Sequence, residues 1–329
     1  MPLEVGLVGT GAFAARTAQA LASSPDARLA GVCSRDPERA RAFAAEHGGA
    51  AYSDVAEMAA ASQAVIVAGA TARHERDSLD AIGAGTPVLC EKPMALDHEG
   101  TSRVVRAARE AGVLFVEGFW TCHLPAWQAA RGLVQNGTLG APQRLHADFG
   151  VRTTQAEAPR VWSRDDGVLR DRGVYPVCLA LWCFGEATLR EAEVTRQDGV
   201  DAEARLVLDH ENGAVSSLHC SLLRRTRNHA VLEGEEGAVT IRAPLLGATH
   251  IAPRADRTDG HCPSNRFVRA ALDRAGRLGA QAHPYGADPY HLQIAHLAAL
   301  IAEGRTESPV VPHALSLGVA RIIEEARAA

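Results

Sequence analysis

The stretch EVGLV, residues 4–8, runs straight into Gly9-Thr10-Gly11-Ala12-Phe13-Ala14, and an alanine-rich helical segment follows at once. Few local patterns constrain a fold more. A short apolar strand, a GxGxxA turn and a helix make the first half of a βαβ unit. In it Gly9 permits the tight turn, Gly11 lets the backbone approach a pyrophosphate, and Ala14 lets helix and strand pack closely. The phosphates would sit on the free N–H groups at the helix N-terminus. A bare tight turn is the plain alternative, and the full-length unit that follows favours the dinucleotide reading.

The same rhythm continues for about 120 residues. ARLAGVCS (27–34) reads as a second strand, and DPERARAFAAEH as a helix with Asp36 as N-cap and Pro37 at its first position. QAVIVAG (63–69), TPVLCEK (86–92) and VLFVEGF (113–119) are further apolar strands separated by helices. Near-continuous apolar strands alternating with helices predict a parallel sheet covered on both faces. After residue 121 the pattern changes. A helix is expected over 124–135, and RLHADFGVR (144–152) alternates like a half-buried strand. Asn212-Gly213 lies between two alternating runs, a strong hairpin signal, and HAVLEGEEGAVTIRAP repeats the theme. Residues 244–288 are loop-rich, and helices are expected over 289–303 and 312–327. The fold class is therefore α/β. A Rossmann doubly wound parallel sheet occupies 1–120, and a C-terminal α/β domain with a mostly antiparallel open sheet occupies 121–329. An apolar outer face on that second sheet is expected to join copies of the chain.

Composition narrows the function. The formal net charge of -5 argues against nucleic acid as a partner. Neither a signal-like N-terminus nor an apolar run of about 18 residues occurs, so no membrane is expected and the location is expected to be cytoplasmic. The seven cysteines form no CxxC pair, so neither a disulfide framework nor a zinc site is indicated, and no metal is expected.

Two further places speak to chemistry. The second strand ends in Cys33-Ser34-Arg35, with Arg39 one turn into the helix, where an NAD-binding fold would carry an acidic residue for the ribose. A hydroxyl and guanidinium there suit a 2′-phosphate, so NADP(H) is expected ahead of NAD(H). The stretch VLCEKPM (88–94) ends a strand in Glu91-Lys92-Pro93, and Lys92 is the only lysine in a chain of 34 basic residues. A composition biased to arginine explains the scarcity. It also means that arginine was usable wherever plain charge sufficed, which makes Lys92 a candidate for proton chemistry that arginine cannot perform.

These residues together carry a resemblance. GxGxxA, His74, Glu91-Lys92-Pro93, Glu117-Gly118-Phe119-Trp120, Leu169-Arg170-Asp171-Arg172-Gly173-Val174-Tyr175-Pro176, ADFG at 147–150 and Glu307-Ser308-Pro309 resemble the glucose–fructose oxidoreductase and inositol dehydrogenase family (Gfo/Idh/MocA). Within it, FWTCHLP and ADFG look most like the dimeric dihydrodiol dehydrogenase and NADP-dependent xylose dehydrogenase branch. The resemblance implies hydride transfer between a nicotinamide and a carbinol or carbonyl carbon of a sugar, polyol or cyclic diol, in a homodimer or homotetramer built through the C-terminal sheet. It implies Tyr175 as acid/base with Lys92 beside it, and Asp171 as a residue binding Lys92 or a substrate hydroxyl. The expected cofactor residues are Gly9, Thr10, Gly11, Ala12, Phe13, Ser34, Arg35, Arg39, Ala70, His74, Glu91, Lys92, Trp120 and Trp162.

The chain also departs from the family pattern. Gly69-Ala70 stands where Thr-Pro is usual, Asp165-Asp166-Gly167 replaces a run of glycines, and Arg170 and Arg172 flank Asp171. The two arginines would serve an anionic substrate or pair with Asp165 and Asp166. Two other functions therefore stand beside the first. One is a ketoreductase acting on a biosynthetic intermediate such as a nucleotide-linked ketosugar. The other is a non-catalytic NADP(H)-binding regulator.

Overall fold

The computed structural model describes residues 2–253 and 279–329, so Cys262 and part of the loop-rich stretch lie outside the described residues. The chain divides into two compact units, Met1–Trp120 with Ala287–Glu324, and Thr121–Gly286 with Glu325–Ala329.

The first unit is built on β1 (Leu3–Val8), β2 (Ala27–Cys33), β3 (Ala50–Tyr52), β4 (Ala64–Val67), β5 (Val88–Glu91) and β6 (Phe115–Gly118). They form one parallel sheet in the order β3-β2-β1-β4-β5-β6. Every residue of β4, β5 and β6 is buried, as strands covered on both faces require. The helices are α1 (Ala12–Ala22), α2 (Pro37–His47), α3 (Val55–Ala60), α4 (His74–Gly83) and α5 (His98–Ala111). Asp36 caps α2 as expected, accepting the Glu38 and Arg39 N–H groups at 3.0 and 3.3 Å. Strand β3 and helix α3 are too short to leave a periodic signal in the sequence.

The last two helices of the chain, Tyr290–Ala302 and His313–Ala328, fall almost wholly within the first unit. The Tyr290 ring packs edge-on against Phe13 at 5.4 Å, and His313 Nε2 lies 3.0 Å from Phe115 O. The sequence places both helices in the C-terminal domain, because no local pattern reports a contact with residues roughly 200 to 280 positions away.

The second unit holds α6 (Pro125–Gln135), β7 (Pro142–Gly150), α7 (Val174–Phe184), β8 (Ala187–Gln197), β9 (Val200–His210), β10 (Val215–Ser221), β11 (Ala230–Gly234), β12 (Ala238–Ile241), β13 (His250–Pro253) and β14 (Gln281–Ala282). The sheet order is β14-β13-β12-β11-β7-β10-β9-β8. All pairings are antiparallel except β7 with β10. The Asn212-Gly213 turn joins β9 to β10, with Gly213 at φ +85. Helix α7, buried at every residue, packs on β7 and β10.

The outer face of this sheet corrects an expectation. It is mixed: Val207, Val215 and Val231 share the outward register with charged and polar residues. Alternation sends Leu145 and Ala147 of β7 inward and turns Arg144, His146 and Asp148 outward, with Arg205 and Ser217 on neighbouring strands. A groove of about 550 Å³ there is lined by Arg144, Arg190, Arg227, His146 and His229 among others. Val151 is the one exposed large hydrophobic among the described residues.

Candidate active site

In the parallel sheet, β1 lies at the point where the strand order reverses, and ligands of open α/β sheets bind outside the carboxyl ends of strands at that point. The glycine turn closes β1 there. Gly9 has φ +119, and a Cβ on it would lie 2.7 Å from Ala68 O, so glycine is needed for the turn to pass the end of β4. Gly11 differs. It N-caps α1 at φ -88, an ordinary conformation, and a Cβ on it would meet nothing within 4 Å. The fold places no demand for glycine at Gly11, yet the space above it is open. Helix α1 has no side-chain cap and no acidic residue in its first turn, leaving its N–H groups for an anion. These features fit a dinucleotide pyrophosphate.

The neighbouring residues fit the rest of such a ligand. Ser34 is half-buried at the end of β2, and Arg35 and Arg39 are exposed beside it. Arg39 Nη2 donates to Thr10 O at 3.4 Å, tying the first turn of α2 to the glycine turn. Ala70 is exposed just after β4. His74 is buried, its ring nitrogens 2.9 Å from Pro93 O and 3.3 Å from Gly69 O. Its visible work is to pin together the chain segments leaving β4 and β5.

Lys92 follows directly on β5 and is half-buried. Glu91 is buried, and burial pushes its carboxyl up to about 7, against the nearby charge of Lys92. Gln293, from the helix Tyr290–Ala302, donates to Glu91 Oε1 at 3.4 Å. The same helix brings Tyr290 to Trp120, ring centroids 4.8 Å apart, and Arg16 stacks over Tyr290 at 4.3 Å. Sequence reasoning missed Tyr290 and Gln293. Nothing in a C-terminal helix signals that Tyr290 reaches the glycine turn at Phe13 or that Gln293 reaches the end of β5.

The remaining candidates belong to the second unit. Asp171 lies in a π-helical turn, Leu169–Gly173, that leads into α7, so the plain α-helix expected across Asp171 and Tyr175 begins with a wider turn. Asp171 Oδ1 accepts from Arg160 Nη2 at 3.2 Å, and Arg160 Nη1 also reaches Asp166 Oδ2 at 2.8 Å. Tyr175 is buried, edge-on to Phe149 at 5.9 Å. Trp162 Nε1 donates to Thr153 O at 2.8 Å.

The two flanking arginines are largely structural. Arg172 is buried and donates to Val151 O, Ser221 O and Thr153 Oγ1, joining the ends of β7 and β10. Arg170 Nη1 donates to the main-chain Asp165 O at 2.9 Å. Gly167, in the departing Asp165-Asp166-Gly167 segment, has φ +66 and packs against Asp201, whose Oδ2 accepts the Leu169 N–H at 2.8 Å. Among the described residues no His, Cys, Asp and Glu cluster of metal-binding size occurs, and no helix is long and apolar enough to cross a membrane.

Comparison with known proteins agrees with this geometry. A family model described as "Oxidoreductase family, NAD-binding Rossmann fold" matches residues 3–119, and the GFO/IDH/MocA C-terminal domain matches residues 127–240. The trans-1,2-dihydrobenzene-1,2-diol dehydrogenase of Bos taurus is 26% identical over 100% of this chain and 97% of its own length. The scyllo-inositol 2-dehydrogenase (NADP(+)) IolU of Bacillus subtilis (strain 168) is 28% identical over 99% of this chain and 96% of its own. The structure of KijD10, a 3-ketoreductase from Actinomadura kijaniata, in complex with NADP and TDP-benzene, superposes with a TM-score of 0.81 at 22% identity, covering 100% of this chain and 98% of that one. At that identity the likeness bears on the fold.

Proposed function

The chain belongs to the Gfo/Idh/MocA oxidoreductase family, and on that premise we propose that it is an NADP(H)-dependent oxidoreductase of sugars, polyols or cyclic diols. The observation that carries the cofactor part is the open Cβ position at Gly11 over an uncapped helix N-terminus. Ser34 and Arg35, where NAD-binding folds carry an acid, support the 2′-phosphate. When bound, the nicotinamide supplies the hydride donor or acceptor. Two relatives support the substrate class, one a dihydrodiol dehydrogenase and the other an inositol dehydrogenase acting with NADP(+).

The chain's own residues have the proton to manage. Oxidising a carbinol needs a base for the hydroxyl proton, and reducing a carbonyl needs the same group as an acid. In this reading Tyr175 is that group and Lys92 assists it, since an ammonium favours a phenolate over a phenol. Asp171 orients Arg160 and offers a carboxylate oxygen to a substrate hydroxyl. His74 holds the segment that carries Lys92 and Pro93. The nucleotide-linked ketosugar alternative drew on Arg170 and Arg172. With Arg172 buried on main-chain carbonyls, the polyol or diol reading is preferred. Assembly as a homodimer or homotetramer through the second sheet, and a cytoplasmic location, complete the reading. With charged residues among those on that face, ion pairs would contribute to association and weaken with salt.

The test is a turnover screen with NADPH and NADP+ against sugars, ketosugars and cyclic diols, run alongside Lys92→Arg. The variant keeps the charge and loses the titratable amine. It should bind NADPH normally and lose about 100- to 10,000-fold in turnover. Near wild-type turnover by Lys92→Arg would remove Lys92 from the chemistry.

A further inference from the structure

The ends of β5 and β6 are interlocked through their own glutamates. Glu91, the last residue of β5, lays its carboxyl over Gly118, where an added Cβ would sit 3.0 Å from Glu91 Oε1. Glu117, on β6 in register with Cys90, reaches the opposite way. Its Oε1 accepts the Met94 N–H at 2.9 Å, two residues beyond Lys92. Glu117 thus fixes the chain beyond β5, while the Glu91 carboxyl packs over Gly118, and Lys92 sits in the segment that Glu117 holds.

A neutral side chain would serve the Met94 N–H equally well, and burying a carboxylate is costly. Glu117 is only 5% exposed, and its Oε2 is buried with no hydrogen-bond partner. Elsewhere in the molecule buried acids have a donor in direct contact, as Asp148 has His229 at 2.8 Å and Glu203 has Arg224 at 2.9 Å. At Glu117 burial pushes the carboxyl up to about 7, and a hydrogen bond from Ser316, the Met94 N–H and, after them, the charge of Lys92 work against that push.

We propose that Glu117 is a positioning residue for Lys92, its carboxylate favouring the ammonium form and its hydrogen bond to Met94 fixing the turn that presents the amine. This deepens the reading of Lys92 as the assisting group and rests on it for its catalytic meaning. The physical coupling is measurable without turnover.

The ionisable groups around Glu117 are Lys92, Glu91 and Cys90 of the β5 segment. From α4, His74 reaches Pro93 O, and His313 with Glu307 lies by Phe115 at the start of β6. Burial pushes the Cys90 thiol well up, so it stays neutral, and burial pushes His313 down, so neither titrates with an amine above pH 7.

Because Lys92 is the only lysine, trace acylation labels it and the N-terminal amine alone, and peptide mapping separates the two. The labelling rate against pH gives the midpoint of the Lys92 amine. Glu117→Gln keeps an acceptor for Met94 and removes the charge. It should lower that midpoint by about one pH unit, or about tenfold faster labelling at a fixed pH below it. Glu117→Asp, which keeps the charge on a shorter stem, should lower it less. A purely structural Glu117 would leave the midpoint unmoved in the Gln variant, and that result overturns the proposal. Should Glu117→Gln fail to fold, the wild-type curve decides. It should depart from a single ionisation near pH 7, where the buried carboxyls titrate, and a simple one-group curve overturns the coupling. Lys92→Arg turnover reports separately on whether Lys92 is catalytic at all.

Discussion

The two sheets hold most of their buried acids in opposite ways, Asp201 near the start of β9 being the exception, raised by burial like the acids of the parallel sheet. In the parallel sheet, strands buried on both faces leave room for polar groups only at their ends, where burial pushes Glu91 and Glu117 up to about 7. In the mixed sheet, Asp148 lies along a strand on the outward side. Against the same upward push of burial, hydrogen bonds from His229 and from the Asn228 N–H hold it down at about 2. Glu203 is likewise lowered against burial, with His219 at 2.9 Å. An acid surrounded by donors is fixed in one charge state and serves architecture. An acid held near neutrality beside a lysine responds to its surroundings, which is the behaviour expected where protons move.

The largest effect expected is on turnover. Tyr175→Phe should lose about 100- to 10,000-fold while binding NADPH as before. Wild-type turnover by that variant would confine the chemistry to the unit with the parallel sheet and break the proposed division of labour. A smaller effect is expected at the nucleotide. Arg35→Ala should cost about 1.5–3 kcal/mol of NADPH affinity and leave NADH binding unchanged. Equal wild-type affinity for the two cofactors would sink the 2′-phosphate assignment.

The pH dependence of stability sharpens the contrast directly. Asp148 has a folded pKa below its ordinary value, so its contribution is present above about 3.8 and lost as pH falls through about 2. Glu117 has a folded pKa above its ordinary value. Stability is therefore lost as pH rises from about 4.5 through about 7. Asp148→Asn should cost about 1–2 kcal/mol at pH 7, and Glu117→Gln should flatten the loss between pH 5 and pH 8, both read by denaturant unfolding. Like responses from the two variants would erase the distinction. The smallest stability change is expected at Gly11. Gly11→Ala should stay within about 0.5 kcal/mol of wild type yet weaken cofactor binding, whereas Gly9→Ala should destabilise the fold itself by about 1–3 kcal/mol. Unaltered cofactor affinity in Gly11→Ala would remove the pyrophosphate from that turn.

Much of this was legible in advance because it is local. The strand–GxGxxA–helix unit, the Asp36 cap and the Asn212-Gly213 hairpin each depend on residues a few positions apart, so propensity and turn chemistry suffice to read them. Lys92 stood out by its singularity in an arginine-rich chain. The charged share of the outer sheet face is not legible in sequence, because alternation shows that two faces differ, and neither charge pairing nor neighbouring strands are visible in one strand.

Long-range placement had to come from the folded chain. Tyr290 joins Phe13 and Trp120, Gln293 reaches Glu91, and Arg172 spans Val151 and Ser221. The motif gives Gly9 and Gly11 different tasks, and the surrounding atoms show the cost of each: a Cβ at Gly9 would meet Ala68 O, while one at Gly11 would meet nothing within 4 Å. Burial likewise sets the charge state of Glu91 and Glu117. Residue type and spacing determine what a segment can form, while desolvation and contacts between distant segments determine which groups meet and in which protonation state.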